Sequence, residues 1–61
     1  MVKTTNEQRK ALKRIADRSN PPITYRDLRE NVMCTFFGDG AVTVQWCGMW
    51  LCIERDGYTH S

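Results

Sequence analysis

The residues best suited to chemistry are three thiols and one imidazole: Cys34, Cys47, Cys52 and His60. Three thiolates and one histidine make a recognised zinc shell. The spacing argues against zinc, because four residues separate Cys47 from Cys52 and no second pair of closely spaced ligands follows. Cys34 and Cys52 also stand among Val, Phe, Leu and Ile, where cysteine commonly behaves as a small apolar residue. We therefore expect buried, inert thiols with no metal and no cofactor, and zinc on these four residues stays the open alternative.

The cysteine count and the polar start of the chain indicate the compartment. A secreted chain of this size usually carries an even set of paired cysteines. The first ten residues, MVKTTNEQRK, contain no apolar core of the kind that a signal peptide has. The strongest apolar stretch, Trp46 to Ile53, is far shorter than the roughly 20 residues that span a bilayer. These features predict a cytoplasmic protein with free thiols and no membrane partner.

The sequence offers no complete set of catalytic residues. His60 is the only histidine and stands next to the last residue of the sequence, where chains fray. A nucleophilic thiol needs an imidazole held within hydrogen-bond reach. Asp39 and Asp56 stand in turn-like segments, where Asp commonly serves the backbone, and the same turn accounts for Glu54. We therefore predict that the protein is not an enzyme.

Charge is divided unevenly along the chain, which has 61 residues and a formal net charge of +2. Residues 1–31 hold eight basic and four acidic side chains, a net charge of +4, whereas residues 32–61 hold one basic and three acidic, a net charge of −2. A basic helical face in the first half can neutralise phosphates and release counterions. The residues of this face are Arg9, Lys10, Lys13, Arg14 and Arg18.

This basic face has two interpretations. It is either the contact surface of a small nucleic-acid-binding regulator or an ordinary solvated helix face. The isoelectric point of about 8.6 lies below the level above 9 that marks many dedicated nucleic-acid modules. Asp17 also interrupts the patch near its end. Nucleic acid is therefore the alternative partner and not the first choice.

Local signals predict two helices in residues 1–31. A capping box, formed by Thr4 with Glu7 or by Thr5 with Gln8, predicts that the first helix begins near Thr4 to Asn6. The sequence Asn20-Pro21-Pro22 ends this helix. Its apolar stripe consists of Ala11, Leu12, Ile15 and Ala16.

The second helix is predicted from Tyr25 to about Asn31. Thr24 supplies a cap, and Asp27 stands three residues later. Ile23 and Leu28 occupy the two positions of a hydrophobic staple.

From Val32 onward the pattern changes to strands. Val32–Phe37, Ala41–Trp46 and Met49–Glu54 are rich in β-branched and aromatic residues, and Gly38-Asp39-Gly40 is a turn signal. Gly48 marks either a hairpin turn or a bulge, and the tail from Tyr58 to Ser61 could pair at a sheet edge. We predict a single small α+β domain over residues 1–61, in which two helices, the second short, pack on a three-stranded antiparallel meander.

A three-stranded sheet covered by helices on one face leaves its other face to water. With Val42, Val44 and Trp46 toward the helices, some of Met33, Phe37, Trp50 and Cys52 should face outward. Exposed aromatic and sulfur-bearing side chains usually mark an interface. The predicted interface residues are Phe37, Met49 and Trp50.

These observations predict a small non-enzymatic module that binds another protein. A homodimer formed through the sheet or its edge is an open alternative for the partner. The small size and the aromatic content are typical of an accessory or inhibitory protein of a bacteriophage or other mobile element, although no single residue carries that expectation.

Overall fold

The computed structural model describes residues 2–35, 38–46 and 48–61 of the chain. The predictions for Phe37 and Cys47 lie outside these residues, and so does the prediction for the side chain of Met49. The described residues form two helices followed by four strands.

The first helix, α1 (Asn6–Arg18), begins at the second of the two predicted capping boxes. The backbone N–H of Gln8 donates to Thr5 Oγ1 (3.1 Å), and the backbone N–H of Thr5 donates to Gln8 Oε1 (2.8 Å). These reciprocal bonds satisfy two of the free donors at the helix start. Within the stripe, Ala11, Leu12 and Ala16 are buried, so α1 docks by the face that the sequence predicts.

The second helix, α2 (Tyr25–Arg29), is a short turn of helix that starts where predicted. The backbone N–H of Asp27 donates to Thr24 Oγ1 (3.1 Å), and Leu28 is fully buried. The helix stops at its cap Glu30, because the chain must turn into the sheet at Val32.

Among the described residues the sheet has the three predicted strands and a short fourth, which is the tail pairing at the sheet edge. The strands β1 (Val32–Cys34), β2 (Val42–Trp46), β3 (Met49–Ile53) and β4 (Thr59–His60) lie in chain order, and each pairs antiparallel with the next. The fourth strand forms because the chain reverses at Gly57, which adopts φ of 92°. Two bonds hold this reversal: the Glu54 N–H donates to the Tyr58 carbonyl (2.8 Å), and the Gly57 N–H donates to the Glu54 carbonyl (2.9 Å).

The β2–β3 connection decides between the two predictions for Gly48. Trp46 pairs directly with Met49, and Gln45 pairs with Trp50. Gly48 has φ of 79°, in the left-handed region that hairpin turns use. The hairpin turn is therefore confirmed, and the bulge is wrong.

The core lies between the two helices and one face of the sheet. Val42 and Val44 are buried there, and Trp46 packs against them partly buried, as predicted. This arrangement confirms the α+β class. The buried residues of the cluster are Ala11, Leu12, Ala16, Leu28, Val32, Val42, Val44 and Ile53.

One buried polar side chain, that of Gln8, fixes α1 to the sheet. Its Nε2 donates to the carbonyl of Gly40 (2.9 Å) and to the carbonyl of Ile53 (3.1 Å). Thr5 Oγ1 adds a third link, because it donates to the carbonyl of Arg55 (2.7 Å). The helix is thus attached both to the start of β2 and to the end of β3. Neither helix of the described ranges is long and apolar enough to cross a membrane.

Candidate functional site

The face of the sheet opposite the helices is open, and we call it the open sheet face. One row of paired residues crosses all four strands on this face, from Met33 through Thr43 and Cys52 to His60. Gln45 and Trp50 form the next row. A groove of about 590 Å³ runs over both rows, and no residue of α1 or α2 lines it. The open sheet face consists of Met33, Thr43, Gln45, Trp50, Cys52, Glu54 and His60.

Large apolar side chains stand exposed on and beside this face. Met33 is 47% exposed, Trp50 is 48% exposed and Tyr58 is 65% exposed. Trp50 faces outward because the hairpin register sets it opposite Gln45 rather than opposite a core residue. The outward position predicted for Met33 and Trp50 is therefore confirmed. Of the three predicted interface residues, Trp50 alone lies on a described part of this face.

A thiol, a carboxylate and an imidazole meet at one end of the open sheet face. The Cys52 thiol donates to Glu54 Oε2 at 3.5 Å, and His60 Nε2 lies 2.7 Å from the same oxygen. The ligand atoms of the three residues all lie within 4.8 Å of one another. The ring of Tyr58 stacks on that of His60, with centroids 5.7 Å apart. We call Cys52, Glu54 and His60 the thiol–carboxylate–imidazole cluster.

Strand geometry brings the cluster together. Cys52 and Glu54 are two residues apart, so they share one side of the extended chain. His60 pairs with Cys52 across the β3–β4 ladder. The zinc alternative drawn from the sequence already contains Cys52 and His60, but it omits Glu54, which the sequence assigns to a turn. The spacing of Cys52 and Glu54 was a usable signal, whereas the position of His60 depends on β4.

The surroundings of Cys52 favour a protonated thiol. Burial raises the pKa of Cys52 above its ordinary value of 9.0, and the hydrogen bond to Glu54 with the charges of Glu54 and Asp39 raises it further. An activated nucleophile needs the opposite shift. The carboxylate also stands between thiol and imidazole, whereas a catalytic base must itself contact the nucleophile. This order does not favour thiol catalysis.

Zinc on Cys34, Cys47, Cys52 and His60 is the alternative that the sequence leaves open, and of its described members the structure brings together Cys52 and His60. Cys34 and Cys52 are free thiols, and β2 separates their strands. Cys52 is 8% exposed, which confirms the buried thiol predicted there. Cys34 is exposed, so the prediction that it is buried is wrong. It lies on β1 at the edge of the sheet, where no further strand is paired with it in the described ranges.

A second surface lies on the helical side of the molecule. The five predicted basic residues, Arg9, Lys10, Lys13, Arg14 and Arg18, are all exposed on α1. The structure adds cations that the sequence prediction does not include, because Lys3, Arg9, Arg26 and Arg29 line a groove of about 880 Å³ together with Tyr25. We call these five residues the basic groove.

Two further side chains modify the basic groove. Lys13 Nζ lies 5.9 Å from the centroid of the Tyr25 ring, which is within cation–π range. Glu30 is the only acidic residue among those described that line the groove. The groove therefore keeps a clear excess of positive charge.

No family model matches the chain, and no curated protein or solved structure matches it at a significant level. The function proposed below therefore depends on the geometry of the open sheet face and of the basic groove.

Proposed function

We propose that this protein is a non-enzymatic module that binds another protein through the open sheet face. The observation that carries the proposal is the exposure of Trp50 and Met33, each close to half exposed, on the sheet face opposite the helices. Tryptophan supplies a large contact area with little side-chain entropy to lose, and it is enriched among residues that dominate binding energy. Steric block or adaptation of a partner needs only such a preorganised surface, which suits an accessory or inhibitory protein of a bacteriophage or other mobile element.

The charges beside the groove indicate the chemistry of the partner. Asp39 and Glu54 line the groove, and no lysine or arginine of the described chain does. Two carboxylates repel the phosphates of a nucleic acid but attract lysine or arginine. The open sheet face therefore fits a protein segment that presents an apolar side chain next to a basic one.

Pull-down with matched variants tests this proposal. The tagged chain would be exposed to bacterial lysate with and without nuclease, and the bound proteins would be identified by mass spectrometry. We expect one protein in near-equal amount that survives nuclease treatment. Trp50→Ala should lower its affinity by about 10-fold or more, as loss of a dominant contact does. Lys10→Glu/Arg14→Glu is the control and should leave the capture intact.

Two results would contradict the proposal. One is capture that disappears with nuclease, and the other is a retained protein that Trp50→Ala does not affect. Light scattering on the purified chain shows whether the partner is a second copy of the chain. A homodimer formed through this face should be visible without lysate and should be weakened by Trp50→Ala.

A second candidate function is supported by the basic groove. Four cations from two separate parts of the chain line the same groove as one aromatic residue. Cations that follow a phosphate backbone beside an aromatic platform suit single-stranded nucleic acid. In this function the chain is a small nucleic-acid-binding regulator.

Fluorescence anisotropy with a labelled single strand tests the second candidate over a range of salt concentrations. If the four cations of the basic groove each neutralise one phosphate, the slope of log K against log salt should be about −3, at about 0.7 per phosphate. Lys3→Glu/Arg26→Glu should abolish binding, and Lys10→Glu/Arg14→Glu should weaken it less. If Lys10→Glu/Arg14→Glu weakens binding more than Lys3→Glu/Arg26→Glu does, the nucleic acid contacts the exposed face of α1 that carries Lys10 and Arg14. No binding at low salt would eliminate this candidate.

A further inference from the structure

The geometry points to a Zn²⁺ site formed by Cys52, Glu54 and His60. Sulfur, oxygen and nitrogen donors converge there within 4.8 Å. This is a different ligand set from three cysteines with His60, because it replaces Cys34 and Cys47 with the carboxylate of Glu54. The site shares Glu54 with the groove of the proposed function, and a bound Zn²⁺ would offset the charge of that carboxylate. Metal binding needs no partner protein, so the metal titration and the pull-down can fail separately.

The distances suit a small tetrahedral ion. Zinc bonds of about 2.0–2.3 Å place neighbouring ligand atoms about 3.3–3.8 Å apart in a tetrahedron, with nitrogen and oxygen at the short end. Cys52 Sγ and Glu54 Oε2 already lie 3.5 Å apart. His60 Nε2 and Glu54 Oε2 lie 2.7 Å apart and must separate by about 0.7 Å to admit the ion.

That separation needs only side-chain movement. The side chains of His60 and Glu54 are 42% and 38% exposed, so each can rotate without displacing the core. Cys52 is the fixed member, because it lies in the ladder between β2 and β4 and is 8% exposed. One rigid ligand with two adjustable ones allows the ion to set its own geometry.

The mixture of donors selects the metal. Calcium and magnesium take oxygen ligands almost exclusively, and this cluster offers a single carboxylate. Thiolate and imidazole suit zinc, which accepts sulfur, nitrogen and oxygen in one shell. On binding, the thiol proton leaves to solvent and no electron is transferred. Three protein ligands leave one tetrahedral position, which water fills.

The ion would hold β4 in place. This strand has only two residues, and its ladder pairs join Cys52 to His60 and Ile53 to Thr59. A metal bond from His60 to the same ion as Cys52 adds a cross-strand link at that point. We therefore expect zinc to protect the backbone amides of β4 from hydrogen exchange.

Cobalt titration of the untagged full chain tests the site. The protein would be stripped with a chelator, kept reduced, and titrated with Co²⁺ while the thiolate-to-cobalt absorption band is recorded. We expect one Co²⁺ per chain, displaced by Zn²⁺. Cys52→Ser and His60→Asn should each lower the Co²⁺ affinity by at least about 10-fold, the lower limit seen when only an outer partner of a ligand is removed.

The controls use the rest of the chain. Cys34→Ser and Cys47→Ser should each keep the cobalt band. Because His60 is the only histidine, its ring resonances in an NMR spectrum report its ligation without assignment ambiguity. His60→Asn changes an exposed residue, so an unchanged backbone spectrum would show that its effect is not unfolding.

Three results would overturn the inference. They are the absence of a thiolate band, one Co²⁺ shared by two chains, and loss of the band in Cys34→Ser or Cys47→Ser. His60 ring resonances that do not respond to Zn²⁺ would also exclude His60 as a ligand. The contacts of Cys52 and His60 with Glu54 would then be ordinary hydrogen bonds.

Discussion

Gln8 is the polar side chain on which docking of the first helix depends. Its amide donates to the carbonyls of Gly40 and Ile53, and an apolar replacement would remove both of these bonds inside the folded chain. A buried polar group that loses its partner costs about 1–3 kcal/mol. We expect Gln8→Ala to lower the free energy of unfolding by about 2 kcal/mol or more in urea denaturation.

The matched control for Gln8 is its exposed neighbour Lys10. Lys10→Ala should change the free energy of unfolding by no more than about 0.5 kcal/mol, as surface substitutions usually do. Equal stability of the two variants would show that the carbonyls find water and that Gln8 does not fix the helix.

The protonation of the Cys52 thiol makes the stability of the folded protein depend on pH. Its raised pKa means that the folded chain binds the thiol proton more tightly than the unfolded chain does. The stability that comes from the protonated thiol is therefore complete below the unfolded pKa and is lost as the pH rises through the folded pKa.

Alkylation measures this shift directly, because only the thiolate reacts. With metal removed, the rate of Cys52 modification by iodoacetamide should reach its midpoint above pH 9.0 in the folded protein. In denaturant, and partly in Glu54→Gln, the midpoint should move back down, because burial or a negative charge has been removed. A folded midpoint below the denatured one would contradict the assignment. Mass spectrometry separates Cys52 from the other two thiols.

At the scale of elements, the turn between β3 and β4 packs closely against the start of α1. A Cβ on Gly57 would lie 3.0 Å from the carbonyl oxygen of Glu7, so the helix backbone would have to shift by a few tenths of an ångström to admit it. Gly48 has a similar φ, but among the described residues other than its chain neighbours no atom lies within 4 Å of such a Cβ. Both glycines therefore need a left-handed backbone, but they differ in the room that is available for a side chain.

We expect Gly48→Ala to cost about 1 kcal/mol from backbone strain alone. Gly57→Ala should cost clearly more, about 2–3 kcal/mol, because strain and steric overlap add. Thermal melting of both variants checks the order. Equal melting temperatures would mean that the helix shifts freely away from the turn.

The elements differ in how far sequence predicts them. Both helix starts could be predicted because Thr5 with Gln8, and Thr24 with Asp27, act over three residues of chain. The two residues of β4 carry no strand pattern of their own. They pair because Gly57 reverses the chain beside β3, which is a property of the turn and not of Thr59 or His60.

The sequence predicts the candidate site only in part as well. Alternation along the strands predicts Met33 and Trp50 on one face, but only the register at Trp46 and Met49 decides that Trp50 is exposed. His60 joins Cys52 through that same register and the next turn. The basic groove needs α2 beside α1, so Arg26 and Arg29 could not be grouped with Arg9 from the chain order alone.

For the whole molecule, the small core leaves little reserve of stability. At about 0.05–0.15 kcal/mol per residue, a chain of 61 residues has about 3–9 kcal/mol to lose. Leu12 is fully buried, and Leu→Ala in a core costs about 2–5 kcal/mol. Leu12→Ala should therefore lower the melting temperature by about 10 °C or more, or abolish folding.

Trp50→Ala should produce less than half of that shift, because Trp50 is 48% exposed and lies outside the core. Circular dichroism melts of the two variants measure both shifts in melting temperature. If Trp50→Ala melts as low as Leu12→Ala, the tryptophan is structural and cannot serve as the anchor of a binding surface. A stable Trp50→Ala protein makes the pull-down comparison valid.

The links between the start of α1 and the β3–β4 turn also determine when the protein can fold during synthesis. Gln8 bonds to Ile53, Thr5 bonds to Arg55, and Glu7 contacts Gly57, so the first helix leaves the ribosome long before its anchors do. The helix face that packs on the sheet stays uncovered until the residues up to Gly57 have emerged. A nascent chain stalled before Gly57 clears the exit tunnel should therefore be digested by protease throughout α1, and release of the full chain should protect it.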